Sequence, residues 1–280
     1  LAPTFTSSTL DYTVNVATHV TSVTVSATKS DPNAVISGDV PSQGQATIQL
    51  DGPGSSKVIS VIITAPNGDS KTYRITVNRA APSSNNNLSA LSVTPGSLDP
   101  TFAANTPNYT VNVTTTVTSV NISATKADAD AVMSGDLTAG AGIATGQATI
   151  PLDGPGTSKV VSITLTAPSG ASRTYTVTVN RAAPSSDNNL SALSVTPGSL
   201  DPAFTANTLS YTVNVETTVT SVDASATKTD ADAVMSGDVT AGTGIATGQA
   251  TIPLDGPGTS KVVSITVTAP SGASKTYAIT

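Results

Sequence analysis

Two carboxylates stand side by side at the same point of a recurring motif. Ala-Asp-Ala-Asp-Ala spans 127–131, Thr-Asp-Ala-Asp-Ala spans 229–233, and Ser-Asp-Pro-Asn-Ala spans 30–34. Asp128 with Asp130, and Asp230 with Asp232, therefore offer paired oxygens to a hard cation such as Ca²⁺, which takes six to eight of them. The competing reading is a solvated turn, in which Asp caps tight backbone. Asn33 replaces the second carboxylate in the first motif, and no Glu follows at a distance that would close an EF-hand-type loop. The turn is the expectation, no cofactor is assigned, and calcium at these four aspartates is the alternative.

Other reactive types are weaker still. Lys29, Lys126 and Lys228 recur, as do Lys57, Lys159 and Lys261. A Lys–Asn crosslink would need each lysine buried beside an Asn and a carboxyl. Next to turn residues, both sets read as solvated strand ends. His19 is the one histidine, with Thr116 and Thr218 at its counterpart positions. A serine nucleophile needs a base and an orienting partner, so His19 supports no shared hydrolytic site. A carboxylate pair such as Asp136 and Asp153 reads as loop solvation rather than an acid–base couple. With no Cys, thiolate metal sites and disulfides are excluded. No catalytic residue is assigned, and the chain is not expected to be an enzyme.

The elements that would carry such residues come in three copies. Tyr-Thr-Val-Asn-Val begins at Tyr12, Tyr109 and Tyr211, and Leu-Asp-Gly-Pro-Gly begins at Leu50, Leu152 and Leu254. The period is about 100 residues, which suits one independent domain per copy. Gly-Asp-Val-Pro-Ser-Gln-Gly-Gln from Gly38 becomes Gly-Asp-Leu-Thr-Ala-Gly-Ala-Gly-Ile-Ala-Thr-Gly-Gln from Gly135, a length change that marks a surface loop. Pro/Ser/Asn-rich stretches (Arg79–Asn87, Arg181–Asn189) separate the copies and read as extended, semi-stiff linkers. The expected domains are 1–81, lacking an opening strand, then 82–183, and 184–280 with a shortened closing strand. The chain is expected to be a window on a longer repetitive polypeptide, opening without a signal peptide. Strand donation from a neighbour is the sharper alternative for the first copy.

Within one copy the apolar residues alternate with period two. Tyr109, Val111 and Val113 share a face, as do Val120, Ile122 and Ala124. So do Val161, Ile163, Leu165 and Ala167, and so do Tyr175, Val177 and Val179. Leu91 and Val93 form an opening strand, and Ala131–Ser134 and Ala148–Leu152 two short ones. Thr, Ser and Asn fill the other faces, the pattern of sheets with one buried side. The fold class is all-β: three tandem immunoglobulin-like antiparallel β-sandwiches of about seven strands each. Asp99–Thr106 is expected to be a short helical turn or loop that delivers Phe102 to the core. Each copy has one Phe (5, 102, 204) and two Tyr (12 and 73, 109 and 175, 211 and 277), all assigned to cores and strand edges. No aromatic platform for sugars is left over.

Leu88–Val113 (LSALSVTPGSLDPTFAANTPNYTVNV) and Ile150–Arg181 resemble the opening and closing halves of the bacterial cadherin-like β-sandwich domain. That family's L-S-x-L-x-V strand, its L-x-P-x-F segment, its Y-x-V-x-V strand and its Gly hairpin occur here in order. The resemblance implies a sandwich found in tandem on secreted and surface-anchored bacterial proteins, with no common catalytic residues. The Asn that the family often carries in its Leu-Gly segment is replaced by Leu-Asp-Gly-Pro-Gly.

Composition sets the outer bounds. The 280 residues carry 12 basic and 18 acidic side chains, a net charge of −6. An acidic balance argues against nucleic acid and anionic membranes as partners. No apolar run approaches the roughly 20 residues that span a bilayer, so no membrane insertion is expected in this segment. The expectation is a non-catalytic extracellular structural protein: a stalk, filament or surface-layer segment of a bacterial cell-surface protein, or a secreted one. Its partners would be neighbouring copies of itself or adjacent repeats of a longer chain. The alternatives are an adhesin-type module for a surface receptor or glycan, and accessory repeats of a larger secreted enzyme.

Overall fold

A computed structural model describes residues 1–280, and every regular element in it is a strand. By contacts the chain falls into two compact units. One comprises Leu1–Tyr109, Asn121–Thr149 and Val160–Val177, the other Thr110–Val120, Ile150–Lys159 and Thr178–Thr280.

The third repeat lies wholly in the second unit and shows the full pattern. Its strands are β14 (Leu190–Thr196), β15 (Ser210–Tyr211), β16 (Ser221–Lys228), β17 (Val234–Gly237), β18 (Thr247–Pro253), β19 (Val263–Thr268) and β20 (Ser274–Ile279). They form a three-stranded sheet, β14-β16-β18, and a four-stranded one, β15-β20-β19-β17. One core joins them: Leu190, Leu193 and Val195 from the opening strand pack with Val222, Ala224, Ile265, Val267 and Tyr277. Burying each such side chain contributes roughly 1.5–3 kcal/mol, which is why the period-two pattern fixes the face.

The second repeat has the same seven elements: β7 (Leu88–Thr94), β8 (Asn108–Val113), β9 (Ser119–Lys126), β10 (Val132–Gly135), β11 (Thr145–Pro151), β12 (Ser158–Thr166) and β13 (Ser172–Arg181). Its sheets are β11-β9-β7 and β10-β12-β13-β8. Every inward residue expected from the alternation is buried, from Tyr109 through Val179. The first repeat has six strands: β1 (Asp11–Val16), β2 (Ser22–Ser26), β3 (Val35–Gly38), β4 (Gln45–Gln49), β5 (Ser56–Thr64) and β6 (Ser70–Arg79). Its sheets are β1-β6-β5-β3 and the pair β2-β4.

Two pairs run parallel, β1 with β6 and β15 with β20, while pairs such as β5 with β6, β7 with β9 and β19 with β20 run antiparallel. After β1 the chain alternates between the sheets, β2 and β4 in one and β3 and β5 in the other, and β6 then inserts between β1 and β5. Alternation cannot distinguish the two directions, because both bury every second residue. Asp99–Thr106 contains no helix; it is a loop with one turn, and Phe102 packs against Tyr109 with ring centroids 6.1 Å apart.

One glycine is required by geometry. Gly135 ends β10 at φ +103°, and a Cβ there would strike the carbonyl oxygen of Ser162. The nearest atoms are all main chain of Ser162 and Ile163, so no flexible side chain can give way. Gly135→Ala is expected to destabilise the second repeat by about 2 kcal/mol or more, read as a lower denaturant midpoint.

Candidate functional site

The recurring carboxylate loop is organised by a lysine. Lys126 closes β9 and is 4% exposed; Lys228 closes β16 and is 3% exposed. The Lys126 ammonium donates to the carbonyl oxygens of Ala129 (2.9 Å), Gly140 (2.8 Å) and Ala131. Lys228 does the same with Ala231 (3.1 Å), Gly242 (2.9 Å) and Ala233, and Ala241 O lies farther off at 3.5 Å. Three N–H donors meet three main-chain acceptors, which is what a buried ammonium requires. This corrects the solvated strand-end reading for both residues. Lys29 retains only Pro32 and Ala34 as acceptors, each at 2.8 Å, and is half-buried. Its loop is the short version. The longer loop of the other copies supplies the third carbonyl and adds the buried Ala139 (5% exposed), whereas Leu137 has a buried counterpart in Val40 of the first repeat. Burial pushes the Lys126 and Lys228 ammonium groups below the ordinary lysine pKa, partly opposed by Asp128 and Asp130, or Asp230 and Asp232.

The aspartates themselves close turns. Asp128 Oδ1 accepts the amide of Asp130 at 2.9 Å, and Asp230 Oδ1 that of Asp232 at 2.9 Å. A hydrogen bond from Ser83 and then the Asp130 amide hold the Asp128 carboxyl below the usual range; Ser185 and Asp232 do so for Asp230. No group of three or more metal-ligating side chains gathers around either pair. Asp136 directs its carboxylate at the Ser162 amide (2.7 Å), while Asp153 lends its carbonyl to Arg181 (2.8 Å). These two aspartates thus serve different strands. His19 is exposed.

The tyrosines are internal ties. Tyr109 OH donates to Ala103 O at 2.7 Å, and Tyr211 OH lies 2.8 Å from Thr205 O. Tyr175 OH donates to Ala104 O (2.6 Å) and accepts the amide of Leu88 (3.2 Å), joining the closing hairpin to β7. Tyr277 does the same between Ala206 and Leu190. Tyr175→Phe strands the buried Leu88 amide and is expected to cost about 1–2 kcal/mol, measured by chemical denaturation. One aromatic departs from the core assignment: Phe5 is 59% exposed and stacks on Tyr12 with ring centroids 5.8 Å apart.

Two further groups carried no local signal in sequence. Arg181 donates through Nε and Nη2 to Thr115 O (3.0 and 2.6 Å), and through Nη1 to Asp153 O. Arg79 bonds Thr18 O and Asp51 O in the same way. In the third repeat a groove of about 280 Å³ is lined by Thr212–Glu216, Asp255–Lys261 and Thr280. Asn87 Oδ1 is buried without a partner, whereas its counterpart Asn189 Oδ1 accepts Lys275 Nζ at 2.5 Å. Arg173 stands where Lys275 does but bonds Ala104 O instead. Arg173→Lys is expected to supply that donor and raise the second repeat's stability by about 1 kcal/mol in the same assay.

Linker residues are bonded on both sides. Gly54 N donates to Arg79 O (3.1 Å), Thr18 Oγ1 to Ala81 O (3.2 Å), and Ser169 N to Ser83 O (3.0 Å). At the next linker, Gly156 N donates to Arg181 O (3.1 Å) and Ser271 N to Ser185 O (2.9 Å).

The family model described as "Cadherin-like beta sandwich domain" matches residues 1–80, 88–182 and 190–280, nearly the whole chain. The chain belongs to the cadherin-like β-sandwich domain family. Among curated proteins none matches it. Solved structures with similarity include PcdhgB3 EC1-4, at 12% identity and TM-score 0.29, over 98% of this chain and 73% of that one. Drosophila N-cadherin EC1-4 follows at 11% and 0.22, over 96% and 73%. The protocadherin GammaB4 extracellular domain gives 10% and 0.30, over 97% of this chain; the chain spans about half (48%) of that domain's length. The cadherin-like repeats are thus three in tandem, and no helix is long and apolar enough to cross a membrane.

Proposed function

We propose that this chain of cadherin-like repeats is a non-catalytic, extracellular structural element, a stalk, filament or surface-layer segment of a bacterial cell-surface protein. The observation that carries the reading is the linker bonding. Ser83 and Ser185 occupy equivalent places, each accepting an amide from the following repeat's hairpin, while Gly54 and Gly156 hold the linker's start from the preceding repeat. A linker held at both ends by repeated contacts transmits length rather than swinging freely. The chemistry-bearing side chains point the same way. Lys126, Lys228, Arg79, Arg181 and the tyrosine hydroxyls donate to carbonyls of their own repeat. Neighbouring copies or adjacent repeats of the same class are the natural partners, as identical units present identical surfaces. The test is electron microscopy of concatenated chains carrying three, six and nine repeats. Contour length is expected to rise linearly with repeat number. Compact particles whose length does not scale would overturn the reading.

A second reading, an adhesin-type module for a surface receptor or glycan, is favoured by one observation. Ile143 and Ile245, at the tip of the longer loop, are 58% and 57% exposed. Replacing both by Ser should abolish cell adhesion while leaving contour length unchanged; unaltered adhesion removes the loop as the contact.

A further inference from the structure

Two of the differences between the second and third repeats meet at one spot. Ser-Ser-Asn-Asn-Asn-Leu (83–88) becomes Ser-Ser-Asp-Asn-Asn-Leu (185–190), and Ser-Arg-Thr-Tyr (172–175) becomes Ser-Lys-Thr-Tyr (274–277). In the third repeat Lys275 Nζ donates to Asn189 Oδ1 at 2.5 Å, and Asn189 Nδ2 donates to Asp187 Oδ1 at 2.8 Å. A lysine, an Asn and a carboxyl thus stand in a row, all three half-buried, and this lysine belongs to neither of the recurring sets weighed for a crosslink.

The backbone is fixed on both sides of the contact. Lys275 pairs with Val267 in the β19–β20 hairpin, and Asn189 O accepts the Thr229 amide at 2.9 Å. Asp187 Oδ1 also accepts the Asn189 amide (3.0 Å), and the buried Tyr277 hydroxyl holds the next amide, that of Leu190 (3.1 Å). In the second repeat the same place is inert. Arg173 donates to Ala104 O (3.1 Å), Asn85 replaces the carboxylate, and Asn87 Oδ1 has no partner. A guanidinium stays protonated and has no lone pair to attack with.

We propose that Lys275 and Asn189 join in an intramolecular isopeptide bond, with Asp187 as the catalytic proton carrier. The 2.5 Å hydrogen bond and a C=O bond of about 1.23 Å place Nζ no more than about 3.7 Å from Asn189 Cγ. Reactants held so close gain a large effective molarity over a free amine and amide. The Lys275 ammonium first sheds one proton to water, which leaves a lone pair on Nζ. That pair attacks Cγ, and the Nζ–Cγ bond forms. Both nitrogens then sit on one tetrahedral carbon, so a carboxylate 2.8 Å from Nδ2 reaches either of them. Asp187 takes the surplus proton from Nζ and passes it to Nδ2. The Cγ–Nδ2 bond breaks with its electron pair on nitrogen, and ammonia leaves, taking up the proton that water received. No oxidant and no second substrate enter. The bond ties the segment ahead of β14 to β20, the first and last strands of the repeat, between residues 86 apart in sequence. Tension entering at Asn189 then leaves through Lys275, and the strands between them carry none. The inference goes beyond the structural role proposed above, and a mass measurement reports the bond whether or not contour length scales with repeat number.

The test is the intact mass of the folded 280-residue chain, followed over time at mildly alkaline pH and read in denaturant. A deficit of about 17 Da, one ammonia, is expected, with a branched peptide joining Asn189 to Lys275 after digestion. Lys275→Arg places the second repeat's residue there and should restore the full mass. Asp187→Asn, again the second repeat's residue, should slow the loss by about 100-fold or more. Asn85→Asp with Arg173→Lys should bring a second loss of the same size in the second repeat; its absence would contradict the claim that these three side chains suffice. Full mass in a chain whose β19 and β20 amides are protected from exchange overturns the proposal. So does a deficit that persists in Lys275→Arg or maps to any other residue.

Discussion

Lys126→Met is expected to lower the second repeat's stability by about 3 kcal/mol, while Lys29→Met in the first repeat costs about 1 kcal/mol or less. The methionine keeps the apolar stem and removes the ammonium, so the loss comes from the carbonyls. Ala129, Ala131 and Gly140 then face no donor, and the one of Ala131 is buried. Lys29 holds two carbonyls at a half-buried site where water can replace it. Urea unfolding followed by tryptophan-free probes, such as far-ultraviolet dichroism with hydrogen exchange per repeat, separates the two. A pH dependence accompanies the effect. Burial sets the folded-state pKa of Lys126 below its ordinary value of 10.5. Between those two values the unfolded chain binds more protons, so stability rises with pH across that window. Lys126→Met removes this rise from the second repeat.

In a polypeptide of residues 1–280, where the first repeat has no counterpart of β7, that repeat is expected to melt well before the other two. Three buried side chains of β7, or of β14, close the gap between the sheets in the later repeats, at roughly 1.5–3 kcal/mol each before the entropy of ordering the strand is subtracted. A net deficit of about 3 kcal/mol in the first repeat lowers its melting temperature by roughly 15–20 °C for a domain of this size. Calorimetry should show a separate low-temperature transition. Hydrogen exchange should open β2 and β4 first. A single transition in which all three repeats melt together is the contrary result.

Much of this was legible in the residues. Tyr109-Val111-Val113 and Val161-Ile163-Leu165 announce their buried face, because a strand turns every second side chain inward whatever lies beyond it. The tandem copies and their linkers follow from repetition alone. The lysine cradle was not legible. A Lys beside Asp-Ala-Asp-Ala looks solvated, and the carbonyls that bury it are aimed by a loop whose path depends on Leu137 and Ala139 packing at a distance in sequence. The one available signal was the joint recurrence of lysine, turn and longer loop. Arg181 was hidden for the same reason, since its acceptors Thr115 and Asp153 are brought to it only by the finished sheets. Phe5 was placed by analogy with Phe102 and Phe204. Its 59% exposure depends on what surrounds it in the finished repeat, a feature that the identity of the aromatic does not encode.

Single-molecule extension of the Lys275→Arg chain, whose third repeat is free to extend from end to end, tests most directly whether each repeat closes its own core. Independent closure requires two strong unfolding events of nearly equal contour increment, about 300 Å each for some 90 residues, and an earlier, weaker event from the first repeat. One rupture spanning all three repeats, or a featureless extension, would contradict it.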